Sequence, residues 1–132
     1  MQKIITSLVL AAAVLATPAI ARERDNPDVK LAKLLDGRVA GPPSHCISLP
    51  WTSGSQIIAG RAIAYRQGGT LWVNQPRSGA ESLRGDDILL TRTSTTQLCS
   101  IDTVNLIDRA SHIQRGFVVL GDFVPYRLPA KH

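Results

Sequence analysis

The chain has 132 residues, 44% of them hydrophobic, and its 15 Lys and Arg against 10 Asp and Glu give a formal charge of +5. That length suits one small domain with a modest core. No apolar run reaches the roughly 20 residues that a bilayer-spanning helix needs, so the chain does not read as membrane-spanning.

The N-terminal segment has the three-part pattern of an export signal. Lys3 is the positive start, Leu8 to Ala16 is an unbroken apolar run, Pro18 breaks it, and Ala19-Ile20-Ala21 offers small residues for cleavage. The competing reading, a membrane anchor, is too short. No cysteine sits at the cleavage point, so a lipid anchor is not indicated. Residues 1–21 are therefore predicted to be removed, which takes 132 to 111 residues and, with Lys3 lost, the charge to +4. The expected location is periplasmic or secreted. A basic balance can signal nucleic acid, but export argues against it. The anionic partners outside the cytoplasm are acidic proteins, lipid head groups and cell-wall polymers, and a mere soluble surface charge is the plain alternative.

Residues 22–43 read as an N-terminal helix and linker. Asn26 suits an N-cap, Pro27 a first helical residue, Leu31, Leu34 and Leu35 share a helical spacing, and Gly37 suits the C-terminal end. Gly41-Pro42-Pro43 closes the piece as a stiff extended link.

Residues 44–128 read as one β-rich domain. Strands are expected at 46–49 and 56–59. A hairpin follows from residues 61–66 and 70–74. A three-residue loop, Gln67-Gly68-Gly69, pairs Tyr65 with Leu71 and Ile63 with Val73, and puts Trp72 on the opposite face with Ala62, Ala64 and Asn74. A two-residue Gly68-Gly69 turn is the alternative, and it sets Ile63 against Asn74. Residues 76–86 read as a polar loop. Further strands are expected at 87–93 and, as one long element, 99–107. Residues 108–115 read as loop. The run 117–120 looks the most buried, and 123–126 carries Pro125, which suggests an edge. Strands at this spacing predict a mostly β fold, a small antiparallel β-sandwich or barrel with one short N-terminal helix.

Two cysteines in an exported chain point first to a Cys46–Cys99 disulfide. A zinc site from His45, Cys46, Cys99 and His112 has suitable donors but lacks short paired spacings. Two free thiols fit an oxidising compartment least well. No cofactor is implied.

Other chemistry is sparse. His112 with Ser111 or Ser53 and Asp108 has the residue types of a hydrolytic triad, without a G-x-S-x-G elbow. Asp86-Asp87 offers paired carboxylates or simply a turn. Arg84-Gly85-Asp86 is an adhesion tripeptide that also occurs by chance. Arg77, Arg84 and Arg92 offer an anion site, or ordinary salt links with Glu81, Asp86 and Asp87. Trp51 and Trp72 offer a binding face, or packing.

The strings Pro76-Arg77-Ser78-Gly79-Ala80, Asp86-Asp87-Ile88-Leu89, Leu98-Cys99-Ser100-Ile101-Asp102 and the run from Arg115 to Tyr126 carry a likeness over about residues 34–126. Through them the chain resembles short exported proteins of unknown function from Gram-negative bacteria. The resemblance implies a periplasmic location and paired cysteines, and transfers no activity.

Together these features predict a non-enzymatic domain that binds a cell-envelope partner, an acidic protein or a cell-wall component, or that inhibits a secreted hydrolase. Arg77, Arg84 and Trp72 are its candidate binding residues. The alternative is a small periplasmic hydrolase using His112 or the Asp86-Asp87 pair.

Overall fold

The computed structural model describes Ala13 and residues 26–130. The proposed signal peptide and cleavage point, like His132, lie outside the described residues, Ala13 apart. Helix α1, Pro27–Leu34, starts where the sequence requires it: Asn26 Oδ1 accepts the Asp28 N–H at 2.9 Å, and Pro27 sits in the first turn. Gly37 takes φ +74° just past its end.

Ten strands follow: β1 Val39–Ala40, β2 Cys46–Ser48, β3 Gly54–Ile58, β4 Ala62–Gln67, β5 Thr70–Asn74, β6 Ile88–Thr91, β7 Gln97–Cys99, β8 Thr103–Ile107, β9 Gln114–Val119 and β10 Phe123–Arg127. They form a five-stranded sheet in the order β1-β10-β5-β4-β3, a three-stranded sheet β6-β8-β9 and a ribbon β2-β7. Every pairing is antiparallel. The arrangement is a sandwich and not a closed barrel.

The main core lies between the five-stranded sheet and the two smaller ones. Ile63, Tyr65 and Phe123 come from the large sheet, Val104, Leu106, Val118 and Leu120 from the β8–β9 side, and Ile47 and Leu98 from the ribbon. Tyr65 and Phe123 meet edge to face, centroids 5.9 Å apart. The outer face of the large sheet carries Ile58, Ala62, Ala64 and Val73, packed with Leu31 of α1. The described residues thus form three layers: helix, large sheet, small sheets.

Several expectations need correction. The β4–β5 hairpin uses the two-residue turn, with Gln67 opposite Thr70, Tyr65 opposite Trp72 and Ile63 opposite Asn74. Positive φ falls on Gly68 (+55°) alone of the two loop glycines, the pattern of a II′ turn, whose twist matches the strands. A polar residue opposite Ile63 is tolerated because Asn74, fully buried, has a partner for each end of its amide. Its Nδ2 donates to Gly121 O at 2.7 Å and its Oδ1 accepts the Gly121 N–H at 2.9 Å. One residue of register flips every side chain. Trp72 therefore shares the inner face with Ile63 and Tyr65, opposite Leu71, and packs against the core.

The long strand expected at 99–107 is two, β7 and β8, split by a turn in which Asp102 Oδ2 accepts the Cys99 N–H at 2.7 Å. The 22–43 piece is not merely a helix and a link: β1 pairs with β10, and Gly41 N–H donates to Pro125 O at 2.8 Å. That places Pro125 on an inner strand rather than at an edge. Pairing between Ala40–Tyr126 and Ser44–Phe123 gains one residue at Pro42-Pro43, a local irregularity that accommodates a strand residue without an N–H. The 76–86 loop holds a short 3-10 turn, Ala80–Ser82, and the core residue Leu83.

Cys46 and Cys99 are directly opposite in the β2–β7 ribbon and form the predicted disulfide. The flanking bonds, Ser100 N–H to His45 O and Leu49 N–H to Thr96 O, put hydrogen-bonded pairs at odd offsets. Cys46–Cys99 is then a non-hydrogen-bonded pair, where side chains come closest. Among the described residues no helix is long and apolar enough to cross a membrane.

Candidate functional site: an uncovered sheet face

The two sheets differ in what covers their outer faces. α1 lies over part of the large sheet, and among the described residues no helix lies on the three-stranded one. Register and the inner core set Ile88–Ile107–Gln114, Leu90–Asn105–Phe117 and Thr103–Val119 as three rows on the outer face of β6-β8-β9. None of these residues is charged. Phe117 is 54% exposed and Ile113, in the adjoining loop, 67%. Gln114 Nε2 donates to Asn105 Oδ1 at 3.2 Å, which holds two polar groups in the apolar rows. The run 117–120 is accordingly only half as buried as expected: Val118 and Leu120 are inside, Phe117 outside.

The candidate arginines flank this face. Arg84 is exposed at the end where β6 begins, in a turn closed by Asp87 N–H to Arg84 O and by Arg84 N–H to Asp87 Oδ2. Arg109 lies at the same end and donates to Asp86 O at 3.0 Å. Arg77 is exposed beside the β9 edge. Its N–H donates to Val119 O and its Nε to Leu120 O at 3.0 Å, and the neighbouring Ser78 bridges Val119. The 77–79 segment therefore runs along β9 as a partial extra strand. Gly79, at φ +84°, must be glycine there, since a Cβ would come 2.5 Å from Phe117 O. Trp72 does not join the arginines, because its ring faces the core.

Arg115 has a role the sequence did not disclose. It sits in the irregular stretch of β9 and chelates Asp87 through Nε and Nη2, while Nη2 also donates to Ser82 O at 2.9 Å. The Asp87 side chain is 2% exposed and that of Arg115 19%. This pair locks the 80–87 segment to the sheet, and it leaves Asp87 acting as a structural ion rather than half of a carboxylate pair with Asp86. The salt partner of Asp87 is thus Arg115, not Arg77, Arg84 or Arg92. Only a contact 28 residues away, invisible to local spacing, makes it.

The residues of the imagined triad meet differently. Asp108 Oδ1 accepts from Ser111 N–H (2.7 Å), Ser111 Oγ (2.9 Å) and Ala110 N–H (3.0 Å). These bonds, those from Ser111 first, hold the Asp108 carboxyl below its usual range. Ser111 is spent on Asp108, and His112 is exposed at φ +58°. The disulfide removes both cysteines from the zinc set, and His45 Nδ1 lies 2.9 Å from Asp122 Oδ1. No group of three metal-binding side chains is found among the described residues. The chain matches no protein-family model, no curated protein sequence and no solved structure.

Proposed function

We propose that this chain is an exported, non-enzymatic binding domain of the cell envelope that docks an acidic protein partner on the β6-β8-β9 face. One observation carries the reading: among the described residues nothing covers an uncharged, largely apolar sheet face, while the opposite outer face has its helix. Open apolar patches of this kind are where partners bind. Arg84, Arg109 and Arg77 lie around it, the arrangement of an apolar centre inside a polar rim, and their charge favours an acidic partner. The Cys46–Cys99 bond suits an oxidising compartment, which supports a periplasmic or secreted location. Inhibition of a secreted hydrolase is one form such docking takes.

The test is photo-crosslinking in the native host. A photo-reactive phenylalanine analogue at position 117 should give one defined adduct, and the same group at position 33 on α1 should not. Arg84→Ala should weaken the isolated complex by about 1–3 kcal/mol, the range for a charge-assisted bond. No adduct at 117, or the same adducts from both positions, overturns the reading.

A further inference from the structure

A sheet edge is a row of unpaired N–H and C=O groups, and folded proteins blunt such rows with charges, proline, bulges or a covering segment. Here the β9 edge is blunted by the 77–78 segment, through Arg77 N–H to Val119 O and Val119 N–H to Ser78 O. β10 is covered by β1. β6 has no such device. It reads Ile88-Leu89-Leu90-Thr91, without charge, proline or bulge. Among the described residues its backbone bonds to β8 alone. Its flank is bare as well. Val104, Leu106 and Val118, the inward residues of β8 and β9, are 0% exposed, while the inward Leu89 is only partly buried.

Parity tells which groups are free. Asp102 O accepts the Leu120 N–H, and Asp108 N–H donates to Ile113 O. Even-numbered residues of β8 therefore turn their backbone to β9. The odd-numbered Asn105 and Ile107 turn theirs to β6, onto Leu90 and Ile88. The N–H and C=O of Leu89 and Thr91 are left on the free side.

We infer that β6 pairs antiparallel with β6 of a second copy, about a twofold axis beside Leu90. In this register Leu89 of each copy faces Thr91 of the other, and every free edge group finds a partner. Such an interface is self-complementary, as a twofold dimer requires. Leu90 faces its own counterpart, so the outer row Leu90–Asn105–Phe117 continues into the second copy and the apolar face doubles. The bare flank of Leu89 is covered. Charge selects the same partner. Arg92 follows β6 directly and Asp86 lies just before it, both exposed. Neither side chain has an ion partner among the described residues. Six residues of strand, about 20 Å at 3.3 Å each, keep them apart within one copy. Antiparallel pairing sets Arg92 opposite the second copy's Ile88, diagonal to its Asp86 and within reach of a long side chain, and does so twice. Arg84 and Arg109 share that end, but Asp87 is taken by Arg115 and Asp108 by Ser111, which leaves Asp86 as the carboxylate there for Arg92. β3, the other open edge, has no charged residue from Gly54 to Gly60, so no ion pair selects a partner for it. The dimer uses the edge of the sheet and is independent of what docks on its face.

The experiment is sedimentation equilibrium of the folded, disulfide-bonded protein over a range of concentrations, which should show a monomer–dimer equilibrium. Thr91→Pro removes an edge N–H that bonds to nothing within the chain, so the fold stands and the dimer should be lost. Arg92→Asp and Asp86→Arg should each weaken the dimer by about tenfold, as two exposed pairs turn repulsive. The double variant Arg92→Asp/Asp86→Arg should restore it, which no merely structural role of either residue would do. Phe117→Ser, on the far strand of the face, should leave the dimer intact, so loss of docking and loss of the dimer are read separately. A chain that stays monomeric at every concentration overturns the inference. So does a dimer indifferent to Thr91→Pro, or one that the double charge exchange fails to restore.

Discussion

The large sheet and the small sheets are built by different means. In the large sheet five strands run in one ladder, the β3-β4-β5 strands are sequential hairpins, and α1 closes part of the outer face. β3, β4 and β5 are neighbours in sequence and in space, while β10 joins them to β1 from the far end of the chain, and stability is spread along the ladder. The other layer is divided between β2-β7 and β6-β8-β9. It is held by point fastenings: Cys46–Cys99, Arg115–Asp87, and the Asn74–Gly121 amide bonds that cross from β5 to the β9–β10 turn. Among the described residues no helix covers the outer face of β6-β8-β9. The difference teaches that the layer without a helix over it, among the described residues, relies on single long-range fastenings.

The strongest way to break this comparison is at a fastening. Arg115→Ala strands the buried Asp87 carboxylate and should cost about 3–5 kcal/mol. Arg61→Ala in the other layer breaks an exposed pair with Asp28, side chains 40% and 74% exposed, and should cost no more than about 1 kcal/mol. Urea denaturation of the two variants checks both. Similar losses would show that the layers are not held differently.

Next in size is the disulfide, which closes a separation of 53 residues. The chain-entropy figure for that span is about 4 kcal/mol, and native strain lowers it, so the Cys46→Ala/Cys99→Ala double variant should lose about 2–4 kcal/mol. The fall in Tm, of order 10 °C or more, is read by calorimetry. In the native protein a thiol titration should find no free sulfhydryl.

A smaller effect sharpens the contrast of covered and open faces. Leu31→Ala removes the buried residue of α1 and should cost about 2 kcal/mol. Phe117→Ala, 54% exposed on the open face, should cost less than Leu31→Ala, since only about half of its surface is buried and little cavity is left. If Phe117 proves as costly as Leu31, the face is a structural surface and not a docking one.

The smallest effect is in the loop beside the open face. The bonds from Ser111 and Ala110 lower the Asp108 pKa in the folded protein. Their contribution is therefore present above the unfolded-state value and is lost as pH falls through the folded one. Carboxyl-carbon NMR should show Asp108 titrating below the ordinary aspartate range, and Ser111→Ala, which removes the hydroxyl bond but keeps the larger backbone one, should raise it only in part. An Asp108 that titrates normally would mean that the loop is not closed as described.

How much of this was legible depends on the range of each interaction. The helix was readable because Asn26, Pro27 and the Leu31–Leu34–Leu35 spacing act within one or two turns. The disulfide was readable because only two cysteines are present and the pairing needs no geometry to name it. The strands at β4, β5, β8 and β10 were readable from alternation. The candidate arginines Arg77 and Arg84 do border the open face. Arg115, Asn105 and Phe117, which shape it, carry no local signal, because an apolar strand residue looks the same whether its face is covered or bare.

By itself, the sequence determined the helix, most of the strand segments and that the two cysteines join, since propensity, capping and composition are local, but not β1 or the split between β7 and β8. The tertiary structure alone decided the β4–β5 register. The local pattern favoured keeping Ile63 away from Asn74, and the opposite register prevails because Gly121, 47 residues on, satisfies the Asn74 amide in the core. Gly121 can approach so closely only for lack of a side chain, as a Cβ would come 2.5 Å from Gln75 O. That register turns Trp72 inward and leaves Arg66, Gly54 and Leu71 on the outer face together. An unpaired buried amide costs about 1–3 kcal/mol. That is more than a single cross-strand side-chain pair contributes, at about 0.2–1 kcal/mol, so the distant hydrogen bonds outweigh the local pattern.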